Sequence, residues 1–261
     1  MKVVVAVKAV ATLDDEVALV DGDTAVDPDG LEWDLNEWDS FSLEEALTLR
    51  DAAGDGEVVA ITVGDEEAED SLLACLAKGA DRGVRIWDDA LTGADPLAVA
   101  RVAAAAIARE EPDLVLCGVQ SSDAVNGATG VAIAAHLGLP HVAVVKGLAL
   151  ESGVATVERE LEGGLVEVLR VSLPALLTIQ TGINEPRYAT LRAIKQARDK
   201  PLEELGLGDL ELDEATVTGA AGARVRRLRH PEKGEGAEMI DGSAADVAAR
   251  IAEIVKERMS A

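Results

Sequence analysis

The sequence predicts an α/β protein with a doubly wound, mostly parallel sheet, and three observations carry that expectation. Short, wholly apolar runs alternate with helical stretches as far as Val145, at the spacing of strand–helix–strand units. The runs are apolar on both faces, as in buried parallel strands rather than half-wet antiparallel ones. Aromatic residues make up only 2% of the 261 residues, so the core is Val, Leu, Ile and Ala, the composition of such a sheet under Ala-rich helices.

Taken in order, residues 3–7 (VVVAV) read as the first strand. Residues 13–35, acidic with Gly and Pro, read as a long loop or edge hairpin. Ser42 and Glu45 read as a capping box opening a helix over 43–52. Residues 57–63 form the next strand, 66–78 a helix stopped by Gly79, and 84–87 a strand. Asp95 caps a helix with Pro96 at its first position, running to Arg109. Residues 113–117 are a strand. A polar loop over 119–126 then leads into a helix closed by Gly138, and 141–145 is apolar again. From here the rhythm changes: 155–160, 165–171 and 175–179 read as consecutive strands without helices between them. Residues 188–198 are helical, and 206–236 irregular with a basic cluster at Arg224, Arg226, Arg227 and Arg229. Residues 244–258 form an amphipathic terminal helix. The chain thus divides into an α/β domain, 1–205, and a C-terminal extension, 206–261.

Charge excludes whole classes of function. Lys and Arg number 24 against 49 Asp and Glu, a formal net charge of -25. Such a chain repels phosphate backbones and anionic lipid, so neither nucleic acid nor a membrane surface is an expected partner. The acidity is spread along a chain that is 48% hydrophobic, too apolar for a disordered acidic protein. Only 8 of the cations are Lys and 16 are Arg. This balance points to a salt-rich, halophilic host, an archaeon for instance, where salt screens the self-repulsion. Cys75 and Cys117 make neither a disulfide framework nor a metal site, and read as small core residues. No apolar run is long enough to span a membrane, and the first ten residues are not a signal peptide, being broken at Lys8; the expected location is cytoplasmic.

In an open parallel sheet, ligands sit at the carboxyl ends of the strands. Three segments qualify: 7–13, 63–65 and the loop 118–130, GVQSSDAVNGATG. The last combines small residues, hydroxyls and a helix start, where free N–H groups and the helix dipole attract an anion. A plain capped turn between strand and helix is the competing reading. The loop is neither a Walker sequence nor G-x-G-x-x-G. No nucleophile elbow occurs, so nucleophilic catalysis has no support. His136 reads as a helix-face residue, and His230 before Pro231 as a turn.

A second segment, TIQTGINEPRYATL over 178–191, holds the only tyrosine of the chain. With the following Ile194, Lys195, Gln196, Ala197 and Arg198, it resembles the signature of the electron-transfer flavoprotein β subunit. Further collinear matches are the Val-Lys opening near residues 3–10, Asn36-Glu37-Trp38-Asp39 before Glu44-Glu45-Ala46, Gly79-Ala80-Asp81-Arg82, and Gly118, Gln120, Asp123, Thr129 and Gly130 of the loop. The resemblance spans residues 1–205.

It implies a Rossmann-like domain in a heterodimer, whose α subunit holds a redox-active FAD while the β subunit buries a structural AMP. Electrons would pass from flavin dehydrogenases, such as acyl-CoA dehydrogenases of fatty acid oxidation, to a quinone oxidoreductase. The protein would be a carrier subunit rather than an enzyme, with its extension packed on the α subunit. The family's nucleotide contacts correspond here to Ala6, Asn36, Glu37, Trp38, Asp39, Val63, Gly118, Gln120, Asp123, Asn126, Gly127, Ala128 and Thr129. Leu13 and Trp38 fall near the partner's FAD. Arg187, Tyr188, Leu191 and Lys195 fall on the partner-recognition segment, with Leu191 as the apolar anchor. No metal is implied.

The sequence departs from the family pattern at Glu37, where Pro is usual, and at Trp38, where Phe or Tyr is usual. The stretch 123–130 matches neither the common AMP loop nor that of the electron-bifurcating branch, which binds a second, redox-active FAD in place of AMP. Thr129-Gly130 leans towards AMP. A bifurcating subunit and a non-redox adenine-nucleotide-binding module are the alternatives.

Overall fold

The computed structural model describes residues 1–12, 17–20, 22–218, 222–223, 225–230, 236–237 and 239–259. Their frame is a nine-stranded sheet. The strands are β1 (Lys2–Ala6), β4 (Glu57–Val63), β5 (Arg82–Ile86), β6 (Leu114–Gly118), β7 (His141–Glu151), β8 (Val154–Glu160), β9 (Val166–Ser172), β10 (Ala175–Ile179) and β11 (Leu202–Leu205). Their spatial order is β11-β5-β4-β1-β6-β10-β7-β8-β9. All pairings from β11 to β7 are parallel, and β8 and β9 add an antiparallel hairpin at one edge. The strands β2 (Ala9–Thr12) and β3 (Glu32–Leu35) form a separate antiparallel pair above β1.

Helices cover both faces. Alternation within the strands sorts the core into two: Val3, Val5, Leu114 and Leu116 face α1 (Glu37–Ala53), α2 (Ala68–Lys78) and α5 (Leu191–Ala197), while Val4, Val115 and Cys117 face α3 (Pro96–Arg109) and α4 (Thr129–Leu137). This is the doubly wound arrangement that the two-faced apolar runs predict. Cys75 and Cys117 are buried thiols, one in each core. The cap at Asp95 forms as expected, its carboxylate accepting from Leu97 N–H and Ala98 N–H. It also accepts from Gly222 N–H and Ala223 N–H, which pins these residues of the C-terminal extension to the start of α3. Beyond lie the short helix α6 (Glu214–Thr218) and the terminal helix α7 (Ala244–Met259).

Two local expectations are corrected, and one element is added. No capping box forms at Ser42 and Glu45, because α1 has already begun at Glu37: the Ser42 hydroxyl donates back to the Trp38 carbonyl, and the buried Glu45 carboxylate accepts from the Asn184 amide. The helix expected over 188–198 starts only at Leu191, where the Thr190 hydroxyl accepts from Ala193 N–H and caps it. Residues 202–205, unassigned from sequence, extend the sheet beside β5.

Candidate functional site

The chain places β4 and β5 to one side of β1, then crosses by α3 to lay β6 on the other. The sheet order therefore reverses between β1 and β6, and the strand ends part there. A cavity of about 240 Å³ opens at that point. Its apolar wall comes from Ile61 and Val63 of β4, Pro96 and Val99 of α3, and Ile133 of α4. Its polar wall comes from Lys8, Asn36, Asp39 and the loop after β6, ending at the first turn of α4. The leading N–H groups of a helix have no intrahelical partner, so α4 offers donors to the cavity.

The polar wall is cross-braced. Asn36 is 2% exposed; its amide donates to the Gln120 carbonyl and accepts from Ser122 N–H, fixing the loop to the start of α1. The Lys8 ammonium donates to Asp123 at 2.6 and 2.7 Å and to the Ser121 hydroxyl at 3.4 Å. Burial pushes the Asp123 carboxyl up, but Lys8 and Ser121 outweigh it and hold the group below its ordinary range. The Asp39 carboxylate accepts from Lys8 N–H and Gly118 N–H, both at 2.8 Å. Burial dominates there and pushes its pKa up to about 7, against those two bonds, Asn36 and the Lys8 charge. Trp38 donates its indole N–H to the Gln180 carboxamide at 2.9 Å, which ties α1 to the segment after β10.

Of the expected nucleotide-site residues, Ala6, Asn36, Asp39, Val63, Gly118, Gln120, Asn126, Gly127, Ala128 and Thr129 line the cavity. Asp123 acts from behind through Lys8. Glu37 is exposed and Trp38 faces Gln180, so neither side chain lines it. Leu13 lies outside the described residues. Two glycines are required by close approach. A Cβ on Gly118 would lie 2.5 Å from Trp38 Cβ and 2.6 Å from Asp39 Oδ1; one on Gly130 would lie 2.5 Å from Cys117 Sγ. Lys8 and Ser121 fall within the candidate segments 7–13 and 118–130, but neither they nor Gln180 are singled out by the sequence. The sequence offers one signal for Lys8, a cation just past the first strand of a Lys-poor chain.

The segment after β10 is stapled to α1. Asn184 donates to the Phe41 carbonyl and to Glu45. The Arg187 guanidinium grips Glu44 at 2.8–3.1 Å and reaches Asp51 at 3.2 Å. Arg187 is thereby committed within the chain, whereas Tyr188 is 96% and Leu191 81% exposed, with Lys195 exposed beside them. Leu191 and the half-exposed Ile194 share one face of α5, three residues apart.

These features have known counterparts. Residues 23–210 match the model of the electron transfer flavoprotein domain. The chain is 48% identical, over 98% of both chains, to the electron transfer flavoprotein subunit beta of Methylophilus methylotrophus. It is 35% identical to that of Bacillus subtilis, over 94% of both chains, and 36% identical to that of Bos taurus, over 82% of this chain and 84% of the relative. With a family domain across most of its length and relatives of this similarity end to end, the chain belongs to the electron transfer flavoprotein β subunit family.

Proposed function

We propose that the protein is the β subunit of a heterodimeric electron carrier, holding a structural AMP in the cavity at the β1–β6 divergence. One observation carries this reading: the cavity pairs an apolar slot with a polar wall that ends on the N-terminus of α4. Ile61, Val63, Pro96 and Val99 suit the faces of an adenine ring, and Asn126, Thr129 and the first N–H groups of α4 suit a phosphate.

The redox FAD in this reading belongs to the α subunit and supplies the electron-carrying chemistry. The chain's own part is to shape that subunit's site, with Leu13 and Trp38 nearest the flavin, and to dock donors. Tyr188, Leu191 and Lys195 form the docking face for flavin dehydrogenases, and Arg187 holds that face to α1; a quinone oxidoreductase accepts the electrons. The start of the extension is buried in the chain's own core through Leu207, Leu210 and Val217, and the terminal helix α7 is the part that packs on the α subunit. The apolar stripe of α7, with Val247, Ile251, Ile254 and Val255, supports this, for α7 has no buried residue within the chain. Among the described residues no helix is long and apolar enough to cross a membrane. A cytoplasmic carrier is the location proposed.

The nucleotide released from the purified αβ pair tests the reading. Chromatography of the extract should give AMP and FAD in equal amounts. Two FAD per pair and no AMP would replace it by the bifurcating type.

A further inference from the structure

We propose that Asp39 is a positioning residue of the cavity, its buried carboxylate locking together the two backbone segments, at Lys8 and Gly118, that wall it. The inference rests on the nucleotide reading of that cavity and adds what keeps it in shape.

The parallel ladder between β1 and β6 ends at the Ala6–Cys117 pair. Beyond it the strands part, β1 towards β2 and β6 into the loop that ends on α4. Each would leave a backbone N–H without a ladder partner at a part-buried point, which is costly. Asp39, 4% exposed in the first turn of α1, takes both: Oδ2 accepts from Lys8 N–H and Oδ1 from Gly118 N–H, each at 2.8 Å. One carboxylate thus continues the ladder where the sheet itself cannot. The role demands a group that accepts on both oxygens and donates on neither, which ionised Asp is and Asn is not. Gly118 is shaped to the same purpose, since a Cβ there would strike Asp39 Oδ1. Lys8 and Gly118 both line the cavity, so a slack carboxylate would move two of its walls at once.

Protonation weakens the lock, because the protonated oxygen is a poor acceptor. The groups around Asp39 leave it to titrate alone near neutrality. The Lys8 ammonium, from the segment after β1, is engaged by Asp123 of the loop after β6. Asn36 of the α1 cap is neutral. The Cys117 thiol of β6 is pushed up by burial, and the Cys75 thiol of α2 is pushed up to about 12 by burial, with Lys78 of α2 acting in the opposite direction. Asp39 itself titrates at about 7.

The test follows the amide protons of Lys8 and Gly118 by NMR in the isotopically labelled full chain, from about pH 5 to about pH 9, a span that brackets this titration. Both should move upfield together as pH falls, with one shared midpoint, and should not titrate in Asp39→Asn. Calorimetry with AMP as the probe should give affinity about tenfold weaker for Asp39→Asn than for the native chain, the size of one hydrogen bond to a charged group. The native titration keeps the test decisive even if the variant folds poorly. Amides that titrate with different midpoints, or whose shifts in the native chain equal those in Asp39→Asn, overturn the lock. A native chain that does bind AMP, but no more tightly than Asp39→Asn, overturns the positioning role. A native chain that binds no AMP while the amides still titrate together sinks the nucleotide reading instead.

Discussion

Thr129 occupies the first helical position of α4, and the cap before it is Ala128, whose side chain offers no capping bond. The hydroxyl is therefore free of capping duty, and it lines the cavity. Thr129→Val keeps the shape and removes the oxygen. It should cost about 1.5–3 kcal/mol of nucleotide binding, one hydrogen bond to a charged group, and leave the unfolding midpoint nearly unchanged. Titration calorimetry and thermal melts on the one variant check both halves. Gly130 answers to a different constraint. Its neighbours are Cys117 Sγ and Thr178 Cγ2, 2.5 and 2.8 Å from where a Cβ would stand, so the glycine serves the packing of α4 on β6 and β10. Gly130→Ala should destabilise by about 1–3 kcal/mol through overpacking. An unchanged melting temperature would refute that account. Asp39 adds a pH dependence with an unusual sign for a carboxylate. Its folded pKa of about 7 lies above the ordinary 3.8, so between these values the folded chain binds the proton more tightly than the unfolded one. The group's contribution to stability therefore falls as pH rises through that window. Asp39→Asn, which cannot ionise, should gain in unfolding midpoint relative to the native chain from about pH 5 to about pH 8; a constant difference would show that Asp39 does not titrate there.

The segment between β10 and α5 has two kinds of residue that respond differently to truncation. Arg187 binds Glu44, which is 9% exposed, and burial of that carboxyl is outweighed by the guanidinium, holding it below its ordinary range. Arg187→Ala strands a nearly buried carboxylate and should cost about 1.5–3 kcal/mol of stability. Leu191, 81% exposed, has little packing to lose. Leu191→Ala should leave the unfolding midpoint in place and weaken donor docking by roughly 2 kcal/mol, as an apolar anchor on a polar rim does. Electron transfer from a flavin dehydrogenase, measured per folded molecule, separates them; a destabilised Leu191→Ala with normal transfer would sink the anchor. How legible each element was in the sequence has physical causes. β1 and β4 announce themselves because burial on both faces leaves a continuous apolar run. β11, Leu-Glu-Glu-Leu, gives no such signal, since as an edge strand it pairs only with β5 and keeps both Glu side chains exposed. The start of α1 was hidden because the Asn36 amide is spent on Gln120 and Ser122 rather than on its own helix. At the site, the strand ends and the loop 118–130 were readable by rule. The Lys8–Asp123 bridge joins residues 115 apart in sequence, and nothing local marks it.

Across the whole molecule, charge sets the conditions under which this architecture holds. With 24 cations and 49 acids, complete pairing would still leave 25 carboxylates without a cation. Two groups of bridges stand out, one at the amino ends of the strands, where Arg82 holds Glu57 and Glu110 and Lys2 joins them, and one along α1, where Arg50 and Arg187 hold Asp51, Asp81 and Glu44. Salt acts on both populations. It weakens exposed pairs, each worth about 0–1 kcal/mol. It also screens the repulsion among the surplus acids, whose range shrinks from about 10 Å at 0.1 M to about 3 Å at 1 M. Repulsion among the surplus acids extends over the whole surface, while exposed bridges are each worth little and several others are partly shielded by burial, so screening wins. The unfolding midpoint should therefore rise from low salt to about 1 M KCl and level off as the Debye length falls below the spacing of surface charges. Sodium chloride should act as potassium chloride does at equal ionic strength, since screening depends on charge and concentration. A midpoint that stays flat or falls with KCl would remove both the screening account and the inference of a salt-rich host.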